Sequence, residues 1–366
     1  MKHKPSIVAL ILALLAAALS GCGFKDIDKR FFVVAIGIDR PADNPKNYLV
    51  TLKLAVPSPK IEPGAAKAQI ESVEAPTIAE AVRLIKSYVD KELDFGHCKI
   101  YMLGDSLAQQ GYTDAINWVS RRRDIQNVAY LAIGKPDART IIQSNPPAER
   151  YPGNTLFLQF GKDGTESSYI ISTYIFDFVR RVGEHGLDPV LPIMRKEKEE
   201  YIITRVALLD KEKAVAALTP SETEIFNQIS HHMTKSTVTA NVNGEIMVLS
   251  VNKITSRYKI VKEADGSHML RMTIKISGIF EEAPMGVYSA DWAKLEAAFN
   301  KQYEFEANSL LKKIQQAGVD PLGFGLRYRA THKGSEQTWK RWQTIYPQLK
   351  FDVTAKITIE GTGISD

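Results

Sequence analysis

The stretch from Phe31 to Asp39 reads FFVVAIGID and is an almost unbroken apolar run. Runs of this kind are typical of strands that a sheet buries on both of its faces. Further strand patterns occur at Tyr48 to Val56, Lys99 to Leu103 and Val128 to Ile133, with helical patterns between the later ones. Because strands and helices are interleaved here, the sequence predicts a mixed α/β domain around the run.

Two amphipathic helices are predicted in this first block. One opens with the capping box Thr77-Ile78-Ala79-Glu80, in which the threonine and glutamate side chains satisfy the free N–H groups of the first turn. The other runs from Ser168 to Val182 and places four apolar residues on one face: Ile171, Ile175, Phe178 and Val182. That face either packs into the core or docks on a partner or a membrane surface.

A domain boundary is predicted where two prolines precede the charge run Arg195 to Glu200. Beyond it, Tyr201 to Leu209 and Lys213 to Leu218 predict a hairpin, and Asn243-Gly244 predicts another, since this dipeptide favours the tight turn between two strands. A long helix is predicted from Asp291 to Gln316.

The fold class predicted from these patterns is α+β, in two or three domains. An N-terminal mixed α/β region covers residues 22–196, and an antiparallel-sheet α+β domain with the long helix covers residues 197–366.

The N-terminus has the pattern of a lipoprotein signal peptide over residues 1–21. Lys2 and Lys4 precede an apolar run that ends in Leu19-Ser20-Gly21-Cys22. The run is too short to span a bilayer of about 30 Å, so we expect cleavage before Cys22 and acyl chains on that cysteine. A plain secretory signal and a short membrane helix are the alternatives.

The charge and the cysteine content argue against one class of partner and one kind of cross-link. The chain has 47 basic and 42 acidic residues, and removal of residues 1–21 takes away two lysines, which leaves a net charge of +3. Nucleic acid is therefore not an expected partner. With Cys22 acylated, Cys98 is the last thiol, so we expect no intramolecular disulfide.

One pair of motifs resembles an esterase. Gly104-Asp105-Ser106-Leu107 and Asp265-Gly266-Ser267-His268 are similar to the nucleophile and Asp-x-x-His blocks of GDSL esterases. His268 would activate Ser106, and Asp265 would orient the imidazole. Several elements precede Ser106, however, and Asp265-Gly266 has the pattern of a turn. We therefore expect Ser106 to cap a helix and the protein to have no catalytic residues.

Three further groups have both a structural and a functional interpretation. His231-His232 are either solvated residues at a helix end or metal ligands, but no third ligand stands at a suitable spacing. Arg121-Arg122-Arg123 form either a solvated helix end or a contact for phosphate or lipid headgroups. Cys98 is either a small core residue or a thiolate nucleophile. We expect no metal and no cofactor.

Several segments resemble the Ger(x)C family, the lipoprotein C subunits of nutrient germinant receptors in endospore-forming bacteria. The segments are FKDID at 24–28 with FVVAIGID at 32–39, HCKIYMLG at 97–104, DPLGFG at 320–325, WKRW at 339–342 and the closing strand after Tyr346-Pro347. Together they extend over nearly the whole chain.

This resemblance implies a non-enzymatic subunit of a germinant receptor complex, lipid-anchored at Cys22 on the outer face of the spore inner membrane. Its implied partners are the membrane-embedded A and B receptor subunits. Trp339 and Trp342 lie three residues apart and are either a packing pair or an exposed anchor for a partner. The alternative function is that of an extracytoplasmic solute-binding lipoprotein, which needs a ligand cleft between two domains.

Overall fold

The first β-sheet is built around the apolar run that begins at Phe31. The computed structural model describes residues 26–56, 68–147, 151–161 and 166–363. The strands of this sheet are β1 (Arg30–Asp39), β2 (Tyr48–Ala55), β3 (Ala68–Ala75), β4 (Glu92–Asp94), β5 (Ile100–Gly104), β6 (Tyr130–Lys135), β7 (Val190–Glu197), β8 (Glu200–Leu209) and β9 (Ala214–Ala217). Their order is β3-β2-β1-β5-β6-β7-β8-β9, and β4 pairs with β1. The central strands β1, β5, β6 and β7 are parallel.

Helices cover both faces of this sheet. They are α1 (Ile78–Tyr88), α2 (Asp105–Gln110), α3 (Thr113–Ser120), α4 (Ala138–Gln143), α5 (Asn154–Phe160) and α6 (Ile175–Gly183). In β1, Ile36 belongs to the apolar cluster on one face and its neighbour Ala35 to the cluster on the other, and both side chains are fully buried. The same holds for Leu103 and Met102 of β5. Burial on both faces confirms the interpretation of the apolar run.

The helix predicted from Ser168 to Val182 is wrong in its first half. Only Ile175–Gly183 is helical. Ser168 and Tyr169 lie in a turn, and the residues directly before Ile175 pair with β6. Leu131 N–H donates to the Thr173 carbonyl at 2.8 Å, and Ile175 N–H donates to the Ala129 carbonyl at 3.0 Å. Backbone pairing with a neighbouring strand therefore overrides the helical periodicity. Ile175 and Phe178 face the core, as the packing interpretation expects.

The first sheet extends beyond the predicted domain boundary. Strands β7 and β8 form an antiparallel hairpin whose last pair is Glu197 with Glu200, so the boundary at 196/197 falls inside that hairpin. The predicted hairpin of Tyr201 to Leu209 with Lys213 to Leu218 is present, but it belongs to the first sheet. Its sequence pattern defines the two strands and gives no information on which sheet they join. Residues 26–217 are here called the first unit, and residues 220–363 the second unit.

The second unit contains a smaller sheet with strands in sequence order. The strands are β10 (Thr237–Val242), β11 (Glu245–Lys262), β12 (His268–Glu282) and β13 (Lys350–Gly361), and the helices are α7 (Pro220–His231), α8 (Trp292–Gln316), α9 (Phe324–Thr331) and α10 (Glu336–Ile345). Asn243 and Gly244 both have positive φ, 55° and 92°, which confirms the predicted tight turn.

The predicted antiparallel pairing is present from β10 to β12, but the last strand differs. Strand β13 pairs parallel to β12, because the chain returns to the same end of the sheet through α8, α9 and α10 before β13 begins. The fold class is nonetheless α+β, as predicted. No helix in the described ranges has the length and apolar character that a bilayer crossing requires.

Candidate functional site

The two units meet around a buried aspartate that follows the long helix α8. Asp320 is 3 % exposed, and its carboxylate accepts hydrogen bonds from the N–H groups of Phe324 at 3.0 Å and Gly325 at 2.6 Å. It therefore caps the start of α9 from within the preceding loop. Burial raises the pKa of Asp320 to about 7, against the lowering effect of those backbone hydrogen bonds.

A second aspartate, from the first unit, pairs with the backbone of Asp320 in both directions. Asp188 N–H donates to the Asp320 carbonyl at 3.0 Å, and the Asp188 carboxylate accepts from Asp320 N–H at 2.6 Å. The Lys211 ammonium lies 3.0 Å from the other Asp188 oxygen and also donates to three nearby carbonyl oxygens. The junction is thus a hydrogen-bonded contact whose charges have partners.

Two glycines let the backbones of the units touch. Gly186 has φ +81°, and its carbonyl accepts from Leu326 N–H at 2.9 Å. A Cβ on Gly186 would lie 2.5 Å from the carbonyl carbon of Gly325, and a Cβ on Gly325 would lie 2.3 Å from Nε1 of Trp342. Any side chain at either position would therefore force the units or the tryptophan to move.

The two tryptophans of the closing segment have different environments. Trp342 is 2 % exposed and packs between the rings of Tyr328 and Tyr346, at 5.1 and 5.4 Å. Trp339 is partly buried and stacks on His185 of the first unit at 5.0 Å. Trp342 is therefore a packing residue within this chain, and as a surface anchor only Trp339 remains a candidate.

A cavity of about 540 Å³ opens beside these tryptophans at the junction. Its walls include Trp339, Tyr346 and Pro347 from the second unit and His185 and Lys211 from the first. Most of its exposed lining is apolar, and the Lys211 ammonium donates to three carbonyl oxygens.

A second cavity, of about 360 Å³, also lies between the units. Tyr130 and Tyr174 line it from the first unit, stacked at 4.7 Å with their hydroxyl groups 3.2 Å apart. Asn227, 2 % exposed, lines it from α7 and donates to the Ser168 carbonyl at 2.7 Å. Gln159 lines it as well, with a buried Oε1 that has no hydrogen-bond partner among the described residues.

The residues of the esterase-like motifs are separated in the structure. Ser106 is the second residue of α2 in the first unit, and its hydroxyl donates to the Arg40 carbonyl at 3.4 Å. The prediction that Ser106 caps this helix is wrong, because Gly104 occupies the N-cap position. Asp265 lies in the turn between β11 and β12, where its carboxylate accepts from Ser267 N–H and pairs with Lys350. His268 begins β12 in the second unit. The proposed serine, histidine and aspartate thus belong to different contacts, and the triad interpretation has no geometric support.

The histidine pair and the cysteine have local structural contacts. His231 lies 2.7 Å from the Ser230 hydroxyl, and His232 lies 3.1 Å from that of Ser256. No group of three or more metal-ligating side chains occurs in the part of the chain that the structure describes. Cys98 is fully buried, and burial raises the pKa of its thiol to about 12, so it remains a protonated core residue.

The arginine triplet follows α3 directly. Arg122 lies over the rings of Phe95 and Trp118 and pairs with Asp124, whereas Arg121 and Arg123 are exposed.

The residues of the proposed acylation site, Leu19, Ser20, Gly21 and Cys22, lie outside the described residues. Cleavage of the signal peptide and lipid attachment therefore stay predictions.

Sequence reasoning missed the two aspartates of the junction. Asp320 stood in a motif to which no role was assigned, and Asp188 was not singled out. An aspartate before Pro-Leu-Gly and a helix start is a local signal for capping. Contact across 132 positions has no such signal.

Two family models match consecutive parts of the chain. Residues 23–196 match the spore germination protein N-terminal domain, and residues 204–363 match the spore germination B3/GerAC-like C-terminal domain. Together they extend over almost all of the described structure.

Individual relatives are similar to the chain over most of their lengths. Spore germination protein KC of Bacillus subtilis is 23% identical over 99% of this chain and 97% of its own length. Spore germination protein GerQC of Bacillus cereus is 20% identical over 83% of this chain and 85% of its own. The crystal structure of the GerBC protein has a similar fold, with a TM-score of 0.54 at 17% identity over 88% of this chain and 96% of that one. The chain belongs to the Ger(x)C family of spore germination proteins.

Proposed function

We propose that this chain is a lipid-anchored, non-enzymatic subunit of a nutrient germinant receptor complex on the outer face of the spore inner membrane. The observation that carries the proposal is the match to spore germination proteins from residue 23 to residue 363, which begins directly after a lipobox sequence. Two acyl chains on Cys22 would supply the double anchor that stable membrane attachment requires.

The mechanism that we propose is assembly. Anchoring confines both units to the bilayer surface, which raises their effective concentration near the membrane-embedded A and B subunits. Weak individual contacts then suffice for a stable complex. Trp339 and the cavity beside it offer an aromatic surface for one such contact.

The anchoring step can be tested with the two cysteines of the chain. Cells that express the full precursor would be fed radiolabelled palmitate, with Cys22→Ser as the test variant and Cys98→Ser as its matched control. We expect the label to disappear from the first variant and to remain in the second. Label that persists in Cys22→Ser would contradict anchoring at this residue.

A second candidate, an extracytoplasmic solute-binding lipoprotein, is favoured by the cavity that Tyr130 and Tyr174 line between the units. A thermal-shift screen of the mature protein against L-amino acids and hexoses tests it. Under this alternative, one compound stabilises the wild type, Tyr174→Ala loses that stabilisation, and the exposed-site control Tyr288→Ala keeps it. A screen without stabilisation leaves the subunit proposal as the better account.

A further inference from the structure

The edge of the first sheet at which its parallel strands begin lies close to the start of the mature chain. The parallel strands β1, β5 and β6 align Ala35 with Ile100 and Ile100 with Tyr130, so all three begin at the same edge. The described chain starts there too, at Asp26, only four residues after Cys22. Four extended residues reach at most about 14 Å. An acylated Cys22 would therefore hold this edge near the bilayer.

Two loops complete the edge and contact each other. The segment after α1 contains Lys91, whose ammonium lies 5.4 Å from the ring centre of Phe31, then the short strand β4, and then Phe95. The loop after α3 contains Arg122, whose guanidinium lies 4.4 Å from the ring centre of Phe95. These contacts fix residues 121–124 against the beginning of the sheet.

Exposed apolar side chains surround this edge. Ile27, Tyr88, Val128 and Phe176 are each between 50% and 63% exposed. Val128 lies two residues before the start of β6, and Phe176 N–H donates to the carbonyl of Asn127, the residue next to Val128, at 3.1 Å. A soluble surface rarely gathers several large apolar groups in one region unless a partner or a membrane covers them.

Two arginines at this edge lie outside its ion pairs. Asp94 is paired with Arg30, and Asp124 with Arg122. Arg121 and Arg123 are exposed, and within the described ranges no hydrogen bond or ion pair holds either side chain. Exposed basic groups beside exposed apolar groups are the combination that binds an anionic bilayer surface.

We propose that this edge docks on the bilayer, with Arg121 and Arg123 against anionic phospholipid headgroups and Ile27, Tyr88 and Val128 in the interfacial layer. The proposal rests on the proposed anchoring at Cys22 and adds an orientation to it. Docking at this edge turns the lipid-tethered protein from a freely tumbling body into one with a defined face towards the membrane.

A fluorescence experiment on the full lipidated protein tests this orientation. The protein is reconstituted into vesicles of phosphatidylcholine with phosphatidylglycerol that carry a headgroup quencher. A fluorophore is placed at Val128→Cys or, as a control, at Asp43→Cys in the turn at the opposite end of β1, and Cys98 is too buried to react. We expect strong quenching at position 128 and little at position 43.

The charge contribution is tested with Arg121→Gln and Arg123→Gln. Each change should lower the ratio of docked to undocked protein by roughly fivefold, as expected from about 1 kcal/mol per basic residue near an anionic surface. Arg122 is left intact because it braces Phe95. On vesicles of phosphatidylcholine alone, the ratio of docked to undocked wild-type protein should fall as far as it does when both arginines are changed to glutamine.

Co-flotation separates failure of this inference from failure of the anchor. Equal quenching at positions 128 and 43 on vesicles that carry the protein would overturn docking and leave anchoring intact. Protein that does not float with the vesicles would overturn the anchor itself. Quenching at position 128 that appears only when a membrane-embedded receptor subunit is added would overturn lipid docking and assign the edge to that subunit.

Discussion

The two sheets bury their strands in different ways. In the first unit every residue of β5 is buried, because helices cover both faces. In the second unit β13 alternates, with Val353, Ala355, Ile357 and Ile359 buried and the residues between them exposed or half-buried. Neighbouring side chains along a strand of the first sheet therefore contribute similarly to stability. In the second sheet only every other side chain is buried and contributes strongly.

Each unit contains a buried aspartate whose carboxylate caps the start of a helix. In the first unit the Asp39 carboxylate accepts from the N–H groups of Ala138 at 2.7 Å and Arg139 at 2.9 Å, at the start of α4. Asp320 does the same at the start of α9. Burial raises the pKa of Asp39 to about 6 and that of Asp320 to about 7.

The largest expected effect comes from neighbouring core positions. Met102→Ala and Leu103→Ala should each lower the free energy of unfolding by ~2–5 kcal/mol, because each opens a cavity on a covered face. In β13, Ile357→Ala should cost a similar amount, whereas the exposed Lys356→Ala should change stability by less than about 0.5 kcal/mol. Urea unfolding of the four variants measures this. Equal losses at 356 and 357 would contradict the one-sided second sheet.

The junction between the units should be nearly as sensitive. Gly186→Ala places a Cβ 2.5 Å from the backbone of Gly325 at a positive φ, so it should separate the units at a cost of ~1–3 kcal/mol. The matched control is Gly183→Ala, where a Cβ meets nothing within 4 Å. Limited proteolysis and thermal unfolding report the difference. Equal stability and equal protease resistance of the two variants would show that the junction does not depend on the close approach of the two backbones.

The two aspartates predict how stability changes with pH. Their raised pKa values mean that the folded protein binds protons that the unfolded chain, with carboxyl pKa values of about 3.9, has already lost. Stability from these groups is therefore complete below about pH 4 and is lost as the pH rises through about 6 to 7.

Asp39→Asn and Asp320→Asn should each flatten this decline, because the amide does not titrate. Both variants should also be less stable at low pH, since the amide nitrogen cannot accept the second backbone N–H. Unfolding free energies measured from about pH 4 to about pH 8 provide the test. Curves parallel to the wild type in both variants would exclude these carboxyls as the source.

The smallest effect is expected at the free edge of β13. Three side chains spaced along α8 accept hydrogen bonds from alternate N–H groups of this strand: Glu296 from Ile359, Asn300 from Ile357 and Glu304 from Ala355, at 2.9, 2.7 and 2.8 Å. They close an edge that another strand would otherwise pair with.

Asn300→Ala should cost ~1–2 kcal/mol, because it leaves one partly buried N–H without an acceptor. Lys301→Ala, at an exposed position on the same helix, is the control and should be close to neutral. Urea midpoints for the two variants give the comparison. A neutral Asn300→Ala would mean that water replaces this hydrogen bond.

Local signals in the sequence predicted local structure well. The apolar run at Phe31, the Asn243-Gly244 turn and the long helix after Asp291 are all present, because the burial pattern or the turn chemistry of each is written in neighbouring residues. The α+β class follows from these elements. The Ger(x)C resemblance rested on short segments and agrees with the whole-length matches.

Non-local pairing was not predictable in the same way. The extended segment before Ile175 depends on β6, the hairpin of β8 and β9 joins the first sheet, and β13 is parallel to β12. The first and third outcomes are decided by a partner strand far along the chain, and the second by the pairing of β7 with the distant β6. The contact of Asp188 with Asp320 has the same character, so the centre of the junction was beyond sequence reasoning.

We propose that this chain works as part of a membrane-anchored receptor complex. The most direct measurement is affinity purification of the lipidated protein from detergent-solubilised spore membranes, with mass spectrometry of the proteins that co-purify. We expect recovery of two further membrane subunits, one of them polytopic and similar to transporters. Recovery of this protein alone, in detergent that preserves other membrane complexes, would contradict membership in such a complex and favour the solute-binding alternative.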